Sequence, residues 1–566
     1  MRPSFYTLIR KRTFVTTVRW QNNVAVSTYP PIDPNLVNRS FTDVVLHGGE
    51  FSSQPETKKA IVDTEGHFRT FGNLKHDVFQ IRKFALEDLK LSKGDTITLL
   101  SPNHIDYFSV VHGFCSAGIV ISPANPTYTA HEVEFQLKKS NSKALVTHSS
   151  CLEVALKTAK DVGLDKVIVI EDEEEEVSKS HGLTSVEDIR KRKNENSCSE
   201  LPLSAFGKDL AVLPFSSGTT GLPKGVMLTH GNLAANLFQF DYCEGRFFKE
   251  DDVIISPLPQ FHIYAFTVSL NHTLMRGKTL VTMKRFDLEK YCQAVEKYKC
   301  TRTHIVPPIV IQLSKSPIVA HHDMSSLKMA LSAAAPLGSE VERAVSKALP
   351  NLVCKQAWGM SELSPIGTCV CDDGLKSGSG TAGAPVPSTE AKVVDINTRE
   401  ALPPNKDGEL LIRGPQVMAG YLNEPNKTKE CLDEDGWLST GDIAKIDEEG
   451  FIYITDRLKE LIKFKGFQVA PAELEGLLLT HPAILDAVVI PRPDEDAGEV
   501  PRAYCVLKPD YTITPRELIE WAAGETAHYK RLKGGVFFVD KIPKTTSGKI
   551  LRREVVAMDR TKYPLK

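Results

Sequence analysis

Ten residues, Ser216-Ser-Gly-Thr-Thr-Gly-Leu-Pro-Lys-Gly225, hold three glycines, four hydroxyl side chains and one lysine. Glycine lets backbone N–H groups face an anion, so Gly218 and its neighbours can form a cradle. Ser216, Ser217, Thr219 and Thr220 add hydroxyl donors, and Lys224 adds a mobile positive charge. The stretch reads as a phosphate loop, with a glycine-rich surface turn as the plain alternative. It is not a Walker A loop. Counted from Gly218, that pattern needs glycine where Pro223 stands and serine or threonine where Gly225 stands. No HRD or DFG occurs, which excludes a protein-kinase site. Gly378-Ser-Gly-Thr-Ala-Gly383 matches the dinucleotide fingerprint in letters only. No apolar strand precedes it, and Pro385 and Pro387 stand where a helix should begin.

Three further stretches could complete a nucleotide site. Gln356-Ala-Trp-Gly-Met-Ser-Glu362 offers an aromatic face for a base, a hydroxyl and a carboxylate suited to Mg²⁺. Ser439-Thr-Gly-Asp442 places an acid in a tight turn, where one carboxylate can accept both ribose hydroxyls. Pro543-Lys-Thr-Thr-Ser-Gly-Lys549 puts a lysine beside a flexible glycine. Taken singly, each has a plain reading: a core tryptophan, a surface or capping acid, a solvated lysine.

These groups need a scaffold, and the hydrophobic pattern supplies one. Strand-like runs at 95–100, 118–123, 144–148 and 166–170 alternate with helical runs at 105–118 and 132–140. A second series follows. The run 210–215 feeds the glycine loop, a helix is expected over 232–240, and strands near 253, 278, 303 and 327 lie between helices. Such alternation predicts parallel sheets covered on both faces. From Thr381 to Ile454, short strands separated by Gly, Pro and Asp turns predict a small antiparallel barrel. The acidic run 171–176 and the basic run 190–193 read as a solvated connection. After Asp456 comes a charged stretch, then mixed α+β pattern, which makes Asp456 a domain boundary.

The composition agrees with a globular protein of several domains. The chain has 566 residues, 41% hydrophobic and 25% charged, with a net charge of −2. That balance argues against an electrostatic nucleic-acid binder. No apolar run reaches the roughly 18–20 residues of a bilayer span. The eleven cysteines contain no CxxC pair, and Cys369-Val-Cys371 lacks histidines at finger spacing, so reduced thiols are expected. Five basic residues and no acid precede residue 20. This composition is like that of a transit peptide, so a mitochondrial address is expected over a cytoplasmic one, with a disordered basic arm as the alternative. The ending Tyr563-Pro-Leu-Lys566 is not a peroxisomal tripeptide.

Ser216–Gly225, Trp358–Glu362, Thr440-Gly-Asp442, the stretch 456–475 and Pro543–Lys549 stand in the order and spacing of the acyl-adenylate-forming superfamily. Over about residues 30–555 the chain resembles 4-coumarate–CoA ligases, acyl-CoA synthetases and beetle luciferases. The 456–475 stretch points to the 4-coumarate–CoA ligase-like branch. The basic composition marks residues 1–24 as a possible targeting extension ahead of the match, and the resemblance implies an adenylation domain over 25–455. That domain would hold two doubly wound α/β subdomains plus a β-barrel, followed by a mobile α+β domain over 456–566. It implies ATP, Mg²⁺ and coenzyme A acting on a carboxylic acid, with no prosthetic group and no obligate protein partner.

Residue roles follow by the same resemblance. Ser216, Ser217, Gly218, Thr219, Thr220 and Lys224 would hold phosphates, Ser361 the α-phosphate and Glu362 the metal. Asp442 and Arg457 would hold the ribose. Gln356, Ala357, Trp358 and the Ala333–Pro336 turn would frame the adenine, with Gln468 near the acyl-AMP. Lys549 would serve adenylation, and Lys459 and Lys463 would act around the intermediate. Arg285, Lys465 and Gly466 would contact coenzyme A, and Asp456 would be the hinge. His262, Tyr264, Val268, Leu331 and Ala334 would line the acyl pocket.

Two departures concern that pocket. Many relatives read QGYG where this chain has Gln356-Ala-Trp-Gly359, and SGA or SGG where it has Ser332-Ala-Ala334. Each added methyl narrows a wall, and overpacking a fitted site costs about 1–3 kcal/mol. Val268 also replaces a polar residue of some coumarate ligases. These changes leave an aryl acid or a medium-chain fatty acid as the expected substrate. A luciferase-like oxygenase and a non-catalytic nucleotide-binding protein remain open as alternatives.

Overall fold

The computed structural model describes residues 18–563 apart from 173–174, 193–205, 217–222, 373–379, 459, 466, 495, 510, 546–547 and 549. Four sheets organise these residues.

The first sheet has a parallel centre, the strands Thr96–Leu100, Val120–Ala124, Ser142–His148, Val167–Ile170 and Thr184–Ser185. Side chains alternate across it. Ile97, Leu99, Ile121 and Val146 enter one core, with helices Phe71–Glu87 and Tyr107–Ser116. Leu100, Ala124 and Leu145 enter another, with helices Ala130–Ser140 and Leu152–Val162. Burial on both faces explains the unbroken apolar runs.

At one edge the order changes. The expected strand 210–215 is two pieces, Leu210–Val212 and Phe215–Ser216. Pro214, which has no N–H to donate, falls in the gap. The strand Lys224–Thr229 then pairs antiparallel with both pieces. The glycine loop therefore joins antiparallel strands and does not open a helix, unlike a P-loop. The helix expected over 232–240 runs His230–Cys243. Thr229 and Asn232 form a capping box that starts it directly after the strand.

The second sheet is parallel through Lys59–Asp63, Val253–Ser256, Thr279–Thr282, Arg302–Ile305, Met329–Ser332 and Val353–Gly359. Helix His230–Cys243 packs against the π-helical segment Ala265–His272, which contacts strands of this sheet.

The third sheet is the expected antiparallel one, with order Val18–Gln21, Val24–Ser27, Glu390–Val394, Gly408–Arg413, Leu438–Ile446 and Ile452–Arg457. Its first two strands correct the extension expected over 1–24. Val18 and Ala25 are buried, and Ala25 pairs with Ala391, so the folded body already includes residue 18.

One member of the basic run is corrected as well, while Lys191 and Arg192 are exposed as expected. Arg190 ends a helix and is not a solvated charge. Its guanidinium reaches Asp77 at 3.0 Å and Asp106 at 2.6 Å, and Asp106 also holds Arg69 at 2.6 Å. Those two cations keep the buried Asp106 carboxyl well below the usual range despite desolvation.

The fourth sheet is built on the long hairpin Ile484–Asp494 and Gly498–Leu507, flanked by Ile462–Phe464, Phe467–Val469 and Val536–Phe538. Its faces again alternate. Ala487, Val489 and Ala503 pack under helices Pro471–Thr480 and Pro515–Glu525, and Val488, Ile490 and Tyr504 under Arg552–Lys562. Among the described residues no helix is long and apolar enough to cross a membrane.

Candidate active site

The strand Val353–Gly359 carries Gln356, Ala357 and Trp358 to its C-terminal end, and a short helical turn, Ser361–Leu363, follows. Ligands of open α/β sheets bind at such ends. Trp358 is 8% exposed. It is therefore a wall more than an open stacking face. It fits because position 367 is glycine: a Cβ there would lie 2.8 Å from the ring. The Trp358 indole N–H donates to Asp442 Oδ2 at 2.8 Å.

Asp442 was expected in a tight turn. It lies in the strand Leu438–Ile446, just after Gly441 with φ +71°, a left-handed backbone that glycine adopts without strain. Thr440 Oγ1 accepts from the Asp442 N–H at 3.1 Å. In the sheet register Asp442 faces Arg457, whose Nε is 3.5 Å from Asp442 Oδ1. Tryptophan and arginine thus orient one carboxylate from two sides.

The second half of the site is joined by a residue that the sequence reading missed. The strand Lys224–Thr229 pairs with Gly420–Tyr421, with Val226 opposite Tyr421. The Tyr421 hydroxyl donates to Glu362 Oε1 at 2.8 Å, and its ring lies 4.6 Å from Lys224 Nζ. Burial, reinforced by Glu362, raises the Tyr421 pKa, so the phenol stays protonated and remains a donor. Glu362 is 6% exposed, and its other oxygen has no hydrogen-bond partner among the described residues. A buried carboxylate with one uncommitted oxygen, on the same tyrosine as Lys224, fits Mg²⁺, which takes one or two carboxylates and completes its shell with phosphates and water.

Gln356 is redirected. Its carboxamide donates to Leu337 O at 2.9 Å and to Glu342 at 2.6 Å, and accepts from Leu337 N at 3.0 Å. The side chain therefore clamps the 333–337 turn to the strand. In that turn Ala334 has φ +71°, a conformation that costs an alanine about 1–2 kcal/mol.

Most of the residues expected around the acyl group belong to one large buried core. Tyr264, Val268, Leu331, Ala333 and Ala357 share one hydrophobic cluster, with Ala334 packed against it. The Tyr264 hydroxyl donates to Leu331 O at 3.0 Å. His262 is half-buried at the entrance to this segment, its Nδ1 accepting from Tyr264 N at 3.3 Å. Behind the pocket candidates lies a buried ionic network. Lys355 reaches Glu244 at 3.1 Å and Asp372 at 2.5 Å, Arg302 reaches Asp372 at 2.8 Å, and His304 reaches Glu244 at 3.3 Å.

Asp456 occupies the last strand of the third sheet and is 4% exposed. Its carboxyl accepts from Arg457 N at 2.6 Å and from Ala472 N at 2.9 Å, in the first turn of helix Pro471–Thr480. Burial pushes its pKa up to about 7, against those two hydrogen bonds and the nearby Arg552, with Glu475 adding to the rise. Arg552 is itself held by Glu460 at 2.9 Å and by Glu475 and the Val489 carbonyl.

Ser217, Gly218, Thr219, Thr220, Lys459, Gly466 and Lys549 lie outside the described residues. Ser216 is half-buried beside them. A methyl built on Gly548 would lie 3.1 Å from Val306 Cγ2, so the C-terminal loop rests against the body that carries the acyl candidates. Lys463 and Gln468 face each other in the hairpin register, and Lys465 turns that hairpin with φ +46°. Lys463 and Lys465 are exposed, as is Arg285 after the strand Thr279–Thr282. No hydrogen bond or ion pair among the described residues joins these three to Trp358 or Asp442.

One other cluster has metal-like spacing, His104, His148 and Asp172. It is already closed. Each Nδ1 accepts a backbone N–H, from Asp106 at 3.1 Å and Ser150 at 3.0 Å, so each neutral ring carries its proton on Nε2, facing Asp172. Lys284 holds the other carboxylate oxygen at 2.5 Å. Burial lowers both imidazole pKa values, that of His148 to about 4. Cys369 and Cys371 are buried near Cys243, whose thiol is held protonated by its thiol neighbours and by burial.

The fold and this site define an adenylate-forming enzyme of two bodies. Residues 50–422 match the model of the AMP-binding enzyme, and 473–549 that of the AMP-binding enzyme C-terminal domain. The chain belongs to the AMP-binding enzyme family. It is 42% identical over 489 residues to 4-coumarate–CoA ligase 1 of Petroselinum crispum, covering 84% of this chain and 87% of that one. It is 39% identical over 515 residues to 4-coumarate–CoA ligase 3 of Arabidopsis thaliana, covering 90% of each. Among solved structures it resembles ATP-bound MatB from Rhodopseudomonas palustris, with 28% identity and a TM-score of 0.80 over 92% of this chain and 99% of that one.

Proposed function

We propose that this chain is an ATP-dependent, AMP-forming acid–coenzyme A ligase acting on an aryl, hydroxycinnamate-like acid. The observation that carries this reading is the convergence of Trp358, Asp442 and Arg457 with Lys224, Tyr421 and Glu362 where three sheets meet. The 4-coumarate–CoA ligase relatives support the thiol and the acid class.

In the first half-reaction a carboxylate oxygen of the acid attacks the α-phosphorus of ATP. The bond to the β-phosphate breaks and pyrophosphate leaves. Asp442 accepts the ribose hydroxyls, in an orientation set by Trp358 and Arg457. Lys224 and the hydroxyls of 216–220 hold the phosphate chain, and Ser361 meets the α-phosphate. Lys549 bridges the attacking carboxylate and the α-phosphate, where negative charge accumulates. Removing one such contact costs about 3–4 kcal/mol of transition-state stabilisation. Glu362 would hold Mg²⁺, which when bound neutralises charge on the phosphates. In the second half-reaction the coenzyme A sulfur attacks the acyl carbon, the bond to AMP breaks, and the thiol proton passes to solvent. Lys463, Lys465 and Arg285, all exposed, serve this step after a swing about Asp456.

The test measures pyrophosphate release across hydroxycinnamates, benzoates and fatty acids, with and without coenzyme A. Release with aryl acids, and thioester only when coenzyme A is added, is expected. Release confined to medium-chain fatty acids would overturn the acid class, and release with no acid would overturn the ligase. Lys549→Ala should abolish acyl-AMP formation and spare thioester formation from supplied acyl-AMP. Equal loss of both would refute the assignment of Lys549 to one half-reaction.

A further inference from the structure

Lys224 and Glu362 carry opposite charges at the same end of the site, yet no ion pair joins them among the described residues. Left to themselves in a partly buried pocket, such groups would pair and neutralise each other. Tyr421 stands between them. Its ring face holds the Lys224 ammonium at 4.6 Å, and its hydroxyl edge donates to Glu362 at 2.8 Å. An aromatic ring suits both tasks, because its face is electronegative and its phenolic O–H is a donor.

The backbone fixes this placement. Tyr421 pairs with Val226 two residues beyond Lys224, Leu422 N donates to Gly225 O at 2.9 Å, and Met418 N donates to Glu362 O at 2.9 Å. Thr428 Oγ1 accepts from Tyr421 N at 2.9 Å and pins the residue from its other side. The segment 418–422 thus ties the exit of the phosphate loop to the Trp358–Glu362 turn.

We propose that Tyr421 is a positioning residue that keeps Lys224 and Glu362 apart, so that the cation meets the phosphate chain and the carboxylate meets the metal that accompanies it. This rests on the reading of Glu362 as the metal-holding carboxylate.

The test is equilibrium binding of ATP to the whole chain by calorimetry, without acid or coenzyme A, in Mg²⁺ and in EDTA. Tyr421→Phe keeps the ring and removes the hydroxyl. It should lower ATP affinity about tenfold in Mg²⁺, as loss of an outer partner of a metal ligand does, and leave affinity in EDTA unchanged. Tyr421→Leu removes the spacer as well and should lower affinity under both conditions. Thermal unfolding of Tyr421→Phe should match the parent, which separates positioning from folding. Glu362→Gln is the reference. If it abolishes the Mg²⁺-dependent gain while Tyr421→Phe retains it, the role of Tyr421 is overturned. If Glu362→Gln itself retains the gain, the metal reading of Glu362 falls, and the proposal with it.

Discussion

Replacing Asp456 by asparagine should change how the stability of the C-terminal body depends on pH. The carboxyl is 4% exposed, and burial raises its pKa from 3.8 to about 7. The groups facing it come from three elements: Arg457 N on its own strand, Ala472 N and Glu475 on helix Pro471–Thr480, and Arg552 on the final helix. A group whose folded pKa is raised gives stability that is complete below its unfolded pKa and is lost as pH rises through the folded value. Here the loss runs from about pH 4 to pH 7. The rise from 3.8 to about 7 corresponds to ~4 kcal/mol in total, and the slope is about 1.4 kcal/mol per pH unit.

Trp521, partly buried in the C-terminal core, is the only tryptophan after Trp437, so its emission reports this body selectively in a chain with Trp20, Trp358 and Trp437 changed to phenylalanine. Urea unfolding followed by its fluorescence at pH 5, 6, 7 and 8 should show the parent losing about 3 kcal/mol relative to Asp456→Asn over that range. His481, at 4.8 Å from Trp521, affects the signal of both chains equally. Parallel curves for the two chains would show that Asp456 is solvated or compensated in the folded state, and would refute the argument from burial.

Two further outcomes follow from the structure. Ala334→Gly removes a Cβ from a left-handed position and should raise unfolding stability by about 0.5–1 kcal/mol, net of the extra chain entropy of glycine. An unchanged or lower urea midpoint would mean that the 333–337 turn is relaxed with alanine. Lys355→Met leaves the buried Glu244 and Asp372 short of a cation and should cost about 3–5 kcal/mol, read from the thermal midpoint.

Much of the architecture was legible along the chain, because sheets buried on both faces need continuous apolar strands and helices between them need caps. The expected strand at 144–148 sits within Ser142–His148 for this reason, and Thr229 marks a helix start that periodicity alone placed two residues late. Arg190 was illegible. A basic run looks solvated until folding brings Asp77 and Asp106, both distant in sequence, against one member of it. The hairpin 18–27 was hidden for the same reason, since its partner strand lies more than 360 residues away. Gln356 sits in the expected motif, but only its neighbours show that its amide is engaged with Leu337.

The sequence by itself determined the chemical inventory: a glycine- and hydroxyl-rich loop, one aromatic–hydroxyl–acid motif, an acid after Thr440-Gly441 and a late lysine, in the order that marks the acyl-adenylate-forming superfamily. Such residues announce themselves because the chemistry demands their types at short spacings. Tertiary structure alone decided how they are oriented. Trp358 turns Asp442 through a bond spanning 84 positions, and Tyr421 spaces Lys224 from Glu362 across contacts that no local pattern encodes. Orientation depends on which strands become neighbours, and strand order in a folded sheet is a property of the whole packed core.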